Sequence, residues 1–360
     1  MATYYVTVLG GLEPIAIREI EEHLPGARIH PFAAKGERGR MHFDYDGPPA
    51  GVLTLRSVQN IFASIAAFDD IPADESALDL IRKRLSECDL RAALAVHAAI
   101  HGPPDTPIFR CTTKRVGRHD YSSMQIMAAA GAGVIDQRGW GVKMNDYDYD
   151  IHADIDDARF TAGLKLSRGS LHNRSRVVHV SASLNQTLGY ALCVLSDPQP
   201  DEVVVDITCG AGTLPIERAY FGSAKLYAGD IFRHPTRMSR QNFDEAGVHV
   251  NLCQWDARAL PLASASVDKV LANLPWGRRA GSHTVNIHIY PAMTREIARV
   301  LRVGGRAVLL TTEKKMMTRC IHKHGWLRTV NVQGVSVGGL KPSIYIIEKF
   351  REHDPAEAIP

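Results

Sequence analysis

Residues 203–219 read VVVDITCGAGTLPIERA, and this stretch decides how the surrounding chain folds. Its three valines form a short apolar run of the kind that lies buried on both faces of a parallel sheet. Asp206 ends the run, Gly210 and Gly212 follow, and a helical pattern of apolar residues begins directly after them. A strand, a glycine-bearing turn and a helix form the arrangement in which a nucleotide-like ligand lies over the N-terminus of the helix.

The spacing within this turn separates it from a dinucleotide site. It reads Asp-x-x-x-Gly-x-Gly rather than Gly-x-Gly-x-x-Gly, and a carboxylate precedes the glycines. The glycines permit close approach of a ligand to the backbone. Because a pyrophosphate is bound best by backbone amide donors alone, the acid indicates a ligand that carries an amine, and S-adenosylmethionine fits. The alternative at this point is an ordinary α/β turn with no ligand.

The chain around this stretch alternates between strand and helix patterns, which predicts a parallel sheet. A helix is predicted before it, at residues 181–195. The other predicted strands are 225–228, 248–254, 266–272, 306–311, 326–335 and 343–350, and the other helices are 233–245 and 291–301. The last two strands look like an antiparallel pair. Seven strands that end in such a pair are typical of the class I, Rossmann-like methyltransferase fold, an α/β architecture.

Polar residues follow four of the predicted strands, at the edge where an open α/β sheet binds its ligand. We expect Asp206 to face the methionyl amine, Asp230 to accept from both ribose hydroxyls, and Asp256 to accept from the adenine amino group. The predicted cofactor-binding residues are Asp206, Thr208, Cys209, Gly210, Gly212, Thr213, Asp230, Ile231, Asp256, Ala257 and Asn273.

The fourth strand runs into residues 273–277, which read NLPWG. Methylation of an exocyclic amine on a base requires acceptors for its two N–H bonds, so that the nitrogen lone pair turns toward the methyl donor. The Asn273 side-chain oxygen and the Leu274 carbonyl, held by the rigid Pro275, supply these acceptors. Trp276 offers a face for stacking, which contributes about 1–3 kcal/mol per base. We predict these four residues as catalytic, with direct in-line transfer whose rate comes from positioning.

Other interpretations of this turn and its surroundings stay open. Pro-Trp-Gly is also compatible with an ordinary turn. Methylation of carbon 5 of a pyrimidine uses a cysteine nucleophile, and the Pro-Cys element that it needs is missing from this turn. His283 and His288 follow shortly after, where they either approach the substrate or pack in a loop.

The N-terminal half predicts two smaller units. Residues 1–68 follow the order β-α-β-β-α-β of a ferredoxin-like subdomain, which we interpret as a scaffold. Its second helix is expected at 52–62 and its last strand at 65–68. Residues 69–168 form an α+β unit with helices at 77–99 and 124–132, a strand at 108–113 and paired strands within 139–156. A basic linker at 169–180 and the methyltransferase domain at 181–354 complete the predicted organisation.

Two basic clusters without acidic residues lie in this half of the chain. One runs from Arg110 to His119 and the other from Lys165 to Arg176. Cations beside the start of a helix suit a phosphate group, and a solvated loop is the alternative. The residues expected to contact phosphate are Arg110, Lys114, Arg115, Arg118, His119, Arg168, Arg174 and Arg176.

Composition narrows the class of protein further. The chain has 360 residues, of which 45% are hydrophobic and 22% charged, and its formal net charge of +3 does not by itself indicate a nucleic-acid partner. Six scattered cysteines without a Cys-x-x-Cys pair argue against a disulfide framework or a zinc site and indicate a reducing compartment. Signal-peptide and membrane-spanning patterns are missing from the sequence. We expect a cytoplasmic protein without a metal or a membrane partner.

Taken together, these motifs resemble the THUMP-domain tRNA methyltransferases that make N2-methylguanosine, over nearly the whole chain. The resemblance rests on the R-x-G-x-H-x-Y-S-S run within 110–123, the connector 166–176, residues 206–217, Gly229-Asp230 and the NLPWG turn. It implies that the N-terminal subdomain and a THUMP domain bind the acceptor end and stem of tRNA through the basic residues. It also implies that an acceptor-stem guanosine, at position 6, leaves the helix to reach the methyl group of S-adenosylmethionine.

The chain departs from the family pattern in two places. The connector has Arg174-Ser175-Arg176 where relatives often carry an aromatic residue, and the catalytic tetrad has Leu274 and Trp276 in place of the widespread Pro and Tyr. The Asn-Leu-Pro-aromatic form looks closer to the guanine-N2 branch than to adenine-N6 enzymes. The alternatives are an adenine-N6 methyltransferase acting on RNA or DNA, and a non-catalytic RNA-binding protein with a scaffold methyltransferase half. A nicotinamide-dependent oxidoreductase fits the glycine spacing less well, and the sequence shows no protein partner.

Overall fold

The computed structural model describes residues 1–31, 38–171, 183–277 and 282–352. The chain divides into two compact units, one formed mainly by residues up to Ser170 and one formed mainly by the residues after it. Most of the predicted linker, including Arg174 and Arg176, lies outside the described residues.

The first unit is built on one mixed sheet. Its strand order is β2-β3-β1-β4-β9-β8-β5-β7, and β6 pairs with β8. The strands are β1 (Ala2–Leu9), β2 (Arg28–Ile29), β3 (Arg38–Tyr45), β4 (Asn60–Phe68), β5 (Ile108–Thr112), β6 (Arg115–Val116), β7 (Gly141–Val142), β8 (Tyr149–Asp156) and β9 (Arg159–Lys165). The helices are α1 (Glu13–His23), α2 (Ser76–Glu87), α3 (Arg91–His101) and α4 (Ser123–Arg138). The order β2-β3-β1-β4 is that of a ferredoxin-like sheet, and because β4 pairs with β9, the two predicted units share one sheet.

The prediction of a helix at residues 52–62 is wrong. The structure has a 3-10 helix at Pro49–Thr54, and Ile61 and Phe62 belong to β4. This strand pairs with β1 on one side and with β9 on the other, and Ile61, Phe62 and Ala63 are all buried. A strand buried on both faces lacks the alternation that distinguishes strand from helix in a sequence.

Helix boundaries in this unit also differ from the prediction. The single helix expected at 77–99 is two helices, because Cys88 adopts an extended conformation at the end of α2. Helix α4 is longer than its predicted range of 124–132. It starts at a capping box formed by Ser122 and Gln125 and ends at Gly139, which is left-handed with φ of 66°.

The second unit has the predicted seven-stranded sheet, with strand order β12-β11-β10-β13-β14-β16-β15. Its strands are β10 (Glu202–Asp206), β11 (Ala224–Asp230), β12 (Asn251–Gln254), β13 (Val267–Asn273), β14 (Leu301–Thr311), β15 (Leu327–Gly334) and β16 (Ser343–Lys349). The first five in the sheet are parallel, and β16 pairs antiparallel with both β14 and β15. The predicted class I methyltransferase fold is confirmed. Val205, Val270, Leu309 and Ile347, each fully buried, form the centre of its core.

The helices of this unit are α5 (Gln186–Leu195), α6 (Thr213–Ala219), α7 (Arg233–Ala246), α8 (His283–Val300) and α9 (Lys314–His322). Helix α8 begins eight residues before the predicted start at 291, with Ser282 as its N-cap, and Pro291 lies inside it. Proline is common at the first position of a helix and rare inside one, which explains the late predicted start. Helix α9 is missing from the prediction. Over the described ranges, none of the helices is both long and apolar enough to cross a membrane.

Candidate active site

The candidate site lies at the carboxyl ends of the parallel strands, where the strand order reverses between β10 and β13. Crevices at such reversals hold the ligand in open α/β sheets. An open cleft of about 330 Å³ lies here, lined by Ser183, Leu184, Asp206, Thr208, Cys209, Gly210, Ala211, Thr213, Leu214 and Asn273. Six of the predicted cofactor residues therefore meet in one cleft. Ser183 and Leu184 precede α5, and no motif in the sequence indicated that they line this cleft.

Asp206 is the buried acid of the cleft. The residue is only 3% exposed, and its Oδ1 accepts a hydrogen bond from the Thr208 amide at 3.2 Å. Burial raises the pKa of Asp206 to about 8, and the nearby Asp230 charge adds to the shift while the Thr208 amide opposes it. Within the described chain no cation pairs with this carboxyl group. A ligand ammonium would compensate its charge, so Asp206 fits the amine predicted for the cofactor.

The two glycines of the turn have different roles. Gly210 has φ of +50° and its amide donates to Asp230 Oδ2 at 3.0 Å. A Cβ at Gly210 would meet no heavy atom within 4 Å, so this glycine leaves space at the cleft. Gly212 caps α6 with φ of +81°, and a Cβ there would lie 2.4 Å from the Phe243 ring. Gly212 therefore serves the packing of α6 against α7.

The other predicted cofactor residues lie farther along the same sheet edge, outside the lining of the cleft. Asp230 ends β11 and its Oδ1 accepts from the Phe232 amide at 3.1 Å, and Ile231 beside it is 47% exposed. Asp256 accepts from Arg258 Nε and Nη2 and from the Arg258 amide at 2.6–3.0 Å. The hydrogen bonds from Arg258 lower the pKa of Asp256. Arg258 thus holds Asp256, a contact that the sequence did not indicate; Ala257, between them, is buried.

Asn273 ends β13, and its side chain is fixed by Trp276. The Trp276 indole Nε1 donates to Asn273 Oδ1 at 3.0 Å. Because an indole N–H is only a donor, its partner must be the amide oxygen, which fixes the orientation of the Asn273 side chain. Oxygen Oδ1 has a second lone pair, so it can also accept from a substrate amine.

The backbone carbonyls of the NLPWG turn are held by side chains from three segments. The donors are Thr208 Oγ1 to the Asn273 carbonyl (3.2 Å), Asn286 Nδ2 and Tyr290 Oη to the Pro275 carbonyl (3.0 and 2.8 Å) and Thr312 Oγ1 to the Trp276 carbonyl (3.0 Å). Leu274 is bonded through its amide to the Leu310 carbonyl at 3.0 Å, whereas no donor from the described residues reaches its own carbonyl. Within residues 273–276, the Leu274 carbonyl is thus the one without a donor among the described residues. It is also the carbonyl predicted to accept from the substrate amine.

Behind the turn, His283 Nδ1 pairs with the Glu313 carboxylate at 2.9 Å, and Glu313 also accepts from Asn286 Nδ2 at 3.3 Å. Gly277, with φ of +70°, has no room for a side chain, because a Cβ would lie 2.7 Å from Glu313 Oε1. His283 thus pairs with Glu313 behind the turn, although its side chain is 68% exposed, and His288 is exposed on α8. Asn286 was not predicted, since a lone Asn in a helix carries no motif.

The predicted phosphate-contacting residues of the first unit are unequal in exposure. Arg110 forms an ion pair with Asp150 at 2.7 Å, Arg115 donates to the His119 carbonyl at 3.2 Å, and His119 Nε2 contacts the Asp157 carbonyl at 2.8 Å. These residues shape the loop around β6. The cations that project into solvent are Lys114, Arg118 and Arg168.

Comparisons with known proteins identify both parts of the chain. Residues 90–164 match the THUMP domain, and residues 173–342 match the RMKL-like methyltransferase domain. The methyltransferase domain also confirms S-adenosylmethionine as the predicted cofactor.

Two relatives and one solved structure illustrate the similarity. The tRNA (guanine(6)-N(2))-methyltransferase THUMP3 of Bos taurus is 34% identical over 68% of this chain, but the chain spans only about half of that relative's length, at 52%. The tRNA (guanine(6)-N2)-methyltransferase of Thermus thermophilus is 28% identical over 94% of this chain and 97% of its own length. The crystal structure of TrmN from Thermus thermophilus superposes with a TM-score of 0.80 at 22% identity, covering 97% of this chain and 100% of that chain. With both domains matched and the fold shared over nearly the whole length, the chain combines a THUMP domain with an RMKL-like methyltransferase domain.

Proposed function

We propose that this protein transfers a methyl group from S-adenosylmethionine to the exocyclic N2 amine of a guanosine in tRNA, at position 6 of the acceptor stem. The observation that carries the proposal is the pair of acceptors at the catalytic turn. Asn273 Oδ1 is held by Trp276, and the neighbouring Leu274 carbonyl is left open by the described residues while the carbonyls around it are bonded. Names of the relatives support guanine N2 as the target.

The chain's own residues then have defined tasks. Asn273 Oδ1 and the Leu274 carbonyl accept the two N–H bonds of the base amine, which directs the nitrogen lone pair away from them. Trp276 stacks on the base, at about 1–3 kcal/mol, and its indole N–H keeps Asn273 in place. Asp206 binds the amine of the cofactor, and Asp230, Ile231, Asp256 and Ala257 are proposed to bind its adenosine. Bound S-adenosylmethionine supplies an electrophilic methyl group on a sulfonium.

The first unit is proposed to bind the acceptor end and stem of the tRNA. Lys114, Arg118 and Arg168 are exposed cations on this unit, and phosphate neutralisation by such residues supplies most of the sequence-independent affinity for nucleic acid. The target base must leave its helix to reach the catalytic turn. We also propose a cytoplasmic location, in keeping with a tRNA substrate.

One rival reaction shares the same geometry. An adenine-N6 methyltransferase also needs two acceptors and a stacking face, so the turn alone does not distinguish the two amines. The relatives' guanine specificity favours N2-methylguanosine. A non-catalytic role is disfavoured because Asn273, the open Leu274 carbonyl and Asp206 are all present at one sheet edge.

The test is an in vitro reaction of purified protein with labelled S-adenosylmethionine and unmodified tRNA, followed by nucleoside mass spectrometry. N2-methylguanosine that maps to position 6 is expected, and methyladenosine would replace the proposal with its rival. Asn273→Ala should abolish product while cofactor affinity stays within about twofold, since this side chain acts on the base amine. Ser264→Ala, a change at an exposed residue away from the cleft, is the control and should keep full turnover.

A further inference from the structure

Helix α9 carries a basic surface that the catalytic assignment does not use. Its apolar side is buried through Met317, Cys320 and Ile321. Its exposed side presents Lys314, Lys315, Arg319, His322 and the adjoining Lys323. The sequence has no Asp or Glu between residues 314 and 347. We call these five residues the α9 basic face.

The charges of this face are not neutralised by the carboxylates of the described chain. Cations on other helices form ion pairs, such as Arg18 with Glu22 and Arg299 with Glu296. In the part of the chain that the structure describes, no such pair involves the α9 basic face. Lys314 and Lys315 also occupy the first turn, where the helix dipole disfavours a cation by about 0.3–1 kcal/mol each. Arg319 and His322 lie in the last turn, where the dipole favours cations, so helix stability accounts for these two residues but not for Lys314 and Lys315.

The face begins beside the catalytic turn. Thr312, two residues before α9, donates to the Trp276 carbonyl at 3.0 Å. Glu313 follows, and its carboxylate accepts from Asn286, which in turn holds the Pro275 carbonyl. The nine residues of α9 span about 13 Å. Because β15, the strand after α9, is parallel to β14, the helix returns toward the opposite edge of the sheet, and the face runs along it from the catalytic turn by that length.

We propose that the α9 basic face binds the phosphate backbone of the RNA substrate next to the nucleotide that reaches the catalytic turn. This inference rests on the proposed function. Lys315, Arg319 and Lys323 recur every fourth residue and lie on one side of the helix, about 6 Å apart along its axis. A line of cations of this kind matches a polyanionic strand.

The composition of the face favours nucleic acid over a protein partner. Protein interfaces depend on buried aromatic or aliphatic anchors at their centre. The exposed large apolar residues of the described chain include none from α9. Charge complementarity with phosphate is thus the interaction that this surface offers.

The test compares two double variants of the full-length protein. Lys315→Gln/Arg319→Gln removes two charges from the face, and Gln keeps the helix because its propensity is close to that of Lys and Arg. Lys225→Gln/Arg295→Gln is the matched control. Both control residues are exposed, one at the start of β11 and the other about 18 Å along α8 from its start. Binding of unmodified tRNA is measured over a series of salt concentrations, together with methylation kinetics.

The face variant should lower the slope of log affinity against log salt by close to 2, because each duplex phosphate that is no longer neutralised reduces the slope by about 0.9. Its KM for tRNA should rise about tenfold, with an unchanged dissociation constant for S-adenosylmethionine, and the control should match wild type. An unchanged slope and KM in the face variant, or equal losses of affinity in the control, would overturn the inference. Failure of the proposed function has a different signature: wild-type protein then yields no methylguanosine in tRNA, whatever the variants do.

Discussion

Asp206 should couple cofactor binding to the release of a proton. Its pKa is raised to about 8 by burial in the ligand-free protein, so the carboxyl group is mostly protonated at pH 7. An ammonium group placed beside it favours the ionised form. Binding at pH 7 should therefore release close to one proton, and affinity should rise about tenfold for each pH unit between pH 6 and 7.5. Above that range the amine itself titrates, with an ordinary pKa near 7.7–8.0.

Isothermal titration calorimetry with S-adenosylmethionine at three pH values, in buffers of different ionisation enthalpy, measures both quantities. Asp206→Asn is the control, and its affinity should be weaker at pH 7.5 and nearly independent of pH. A wild-type affinity that changes less than twofold between pH 6 and 7.5, without proton release, would refute the assignment of Asp206 to the amine.

The same group makes the stability of the ligand-free protein depend on pH. Because the pKa of Asp206 is higher in the folded protein than its ordinary value near 3.8, the folded form binds this proton more tightly than the unfolded chain. Its contribution to stability is complete below pH 3.8 and is lost progressively as the pH rises toward 8. The full loss is about 6 kcal/mol. Denaturant unfolding of wild type and Asp206→Asn should show stability curves that diverge over this range, with the variant more stable at pH 8.

Three further predictions concern the turns and the first unit. Gly212→Ala should lower the free energy of unfolding by several kcal/mol, because its Cβ meets an aromatic ring. Gly210→Ala should lower it by only about 1–2 kcal/mol and should weaken cofactor binding. Equal denaturation midpoints for the two variants would contradict this prediction. Tyr290→Phe removes one donor to the catalytic turn, so kcat should fall with cofactor affinity retained, and unchanged kcat would exclude a positioning role. Lys114→Glu/Arg118→Glu should weaken tRNA binding and reduce its salt slope in filter-binding assays; a wild-type slope would mean that this loop lies away from the RNA.

The methyltransferase fold was predictable because its signals are local. The valine run, the glycine turn and the acid at the strand end lie within a dozen residues, and three of the later parallel strands end near a recognisable polar residue, Asp230, Asp256 or Asn273. The turn at residues 273–277 was recognisable for the same reason, since its residues are contiguous, and its catalytic role stays a prediction. Local chemistry at strand ends thus identified both the sheet and the candidate site.

The features that escaped prediction depend on partners distant in sequence or on side-chain directions. Strand β4 looked helical because it is buried on both faces, between β1 and β9. Arg258 donates hydrogen bonds to Asp256, and Asn286 donates one to the Pro275 carbonyl. These contacts depend on side-chain directions that a sequence pattern does not encode. Helix α9 is short and rich in cations. Its buried apolar side consists of Met317, Cys320 and Ile321, and three residues are too few to show a helical period in the sequence.

The paired acceptors at the catalytic turn have a consequence for the number of methyl groups added. Under the proposed function, the primary amine of the base offers two N–H donors, one to Asn273 Oδ1 and one to the Leu274 carbonyl. Once one hydrogen is replaced by methyl, only one donor remains, and either acceptor then stays unsatisfied in a partly buried place, at about 1–3 kcal/mol. The methylated product should therefore bind more weakly than the substrate, and its amine should be poorly oriented for a second methyl transfer. If the turn acts as proposed, we expect monomethylation followed by release of the product.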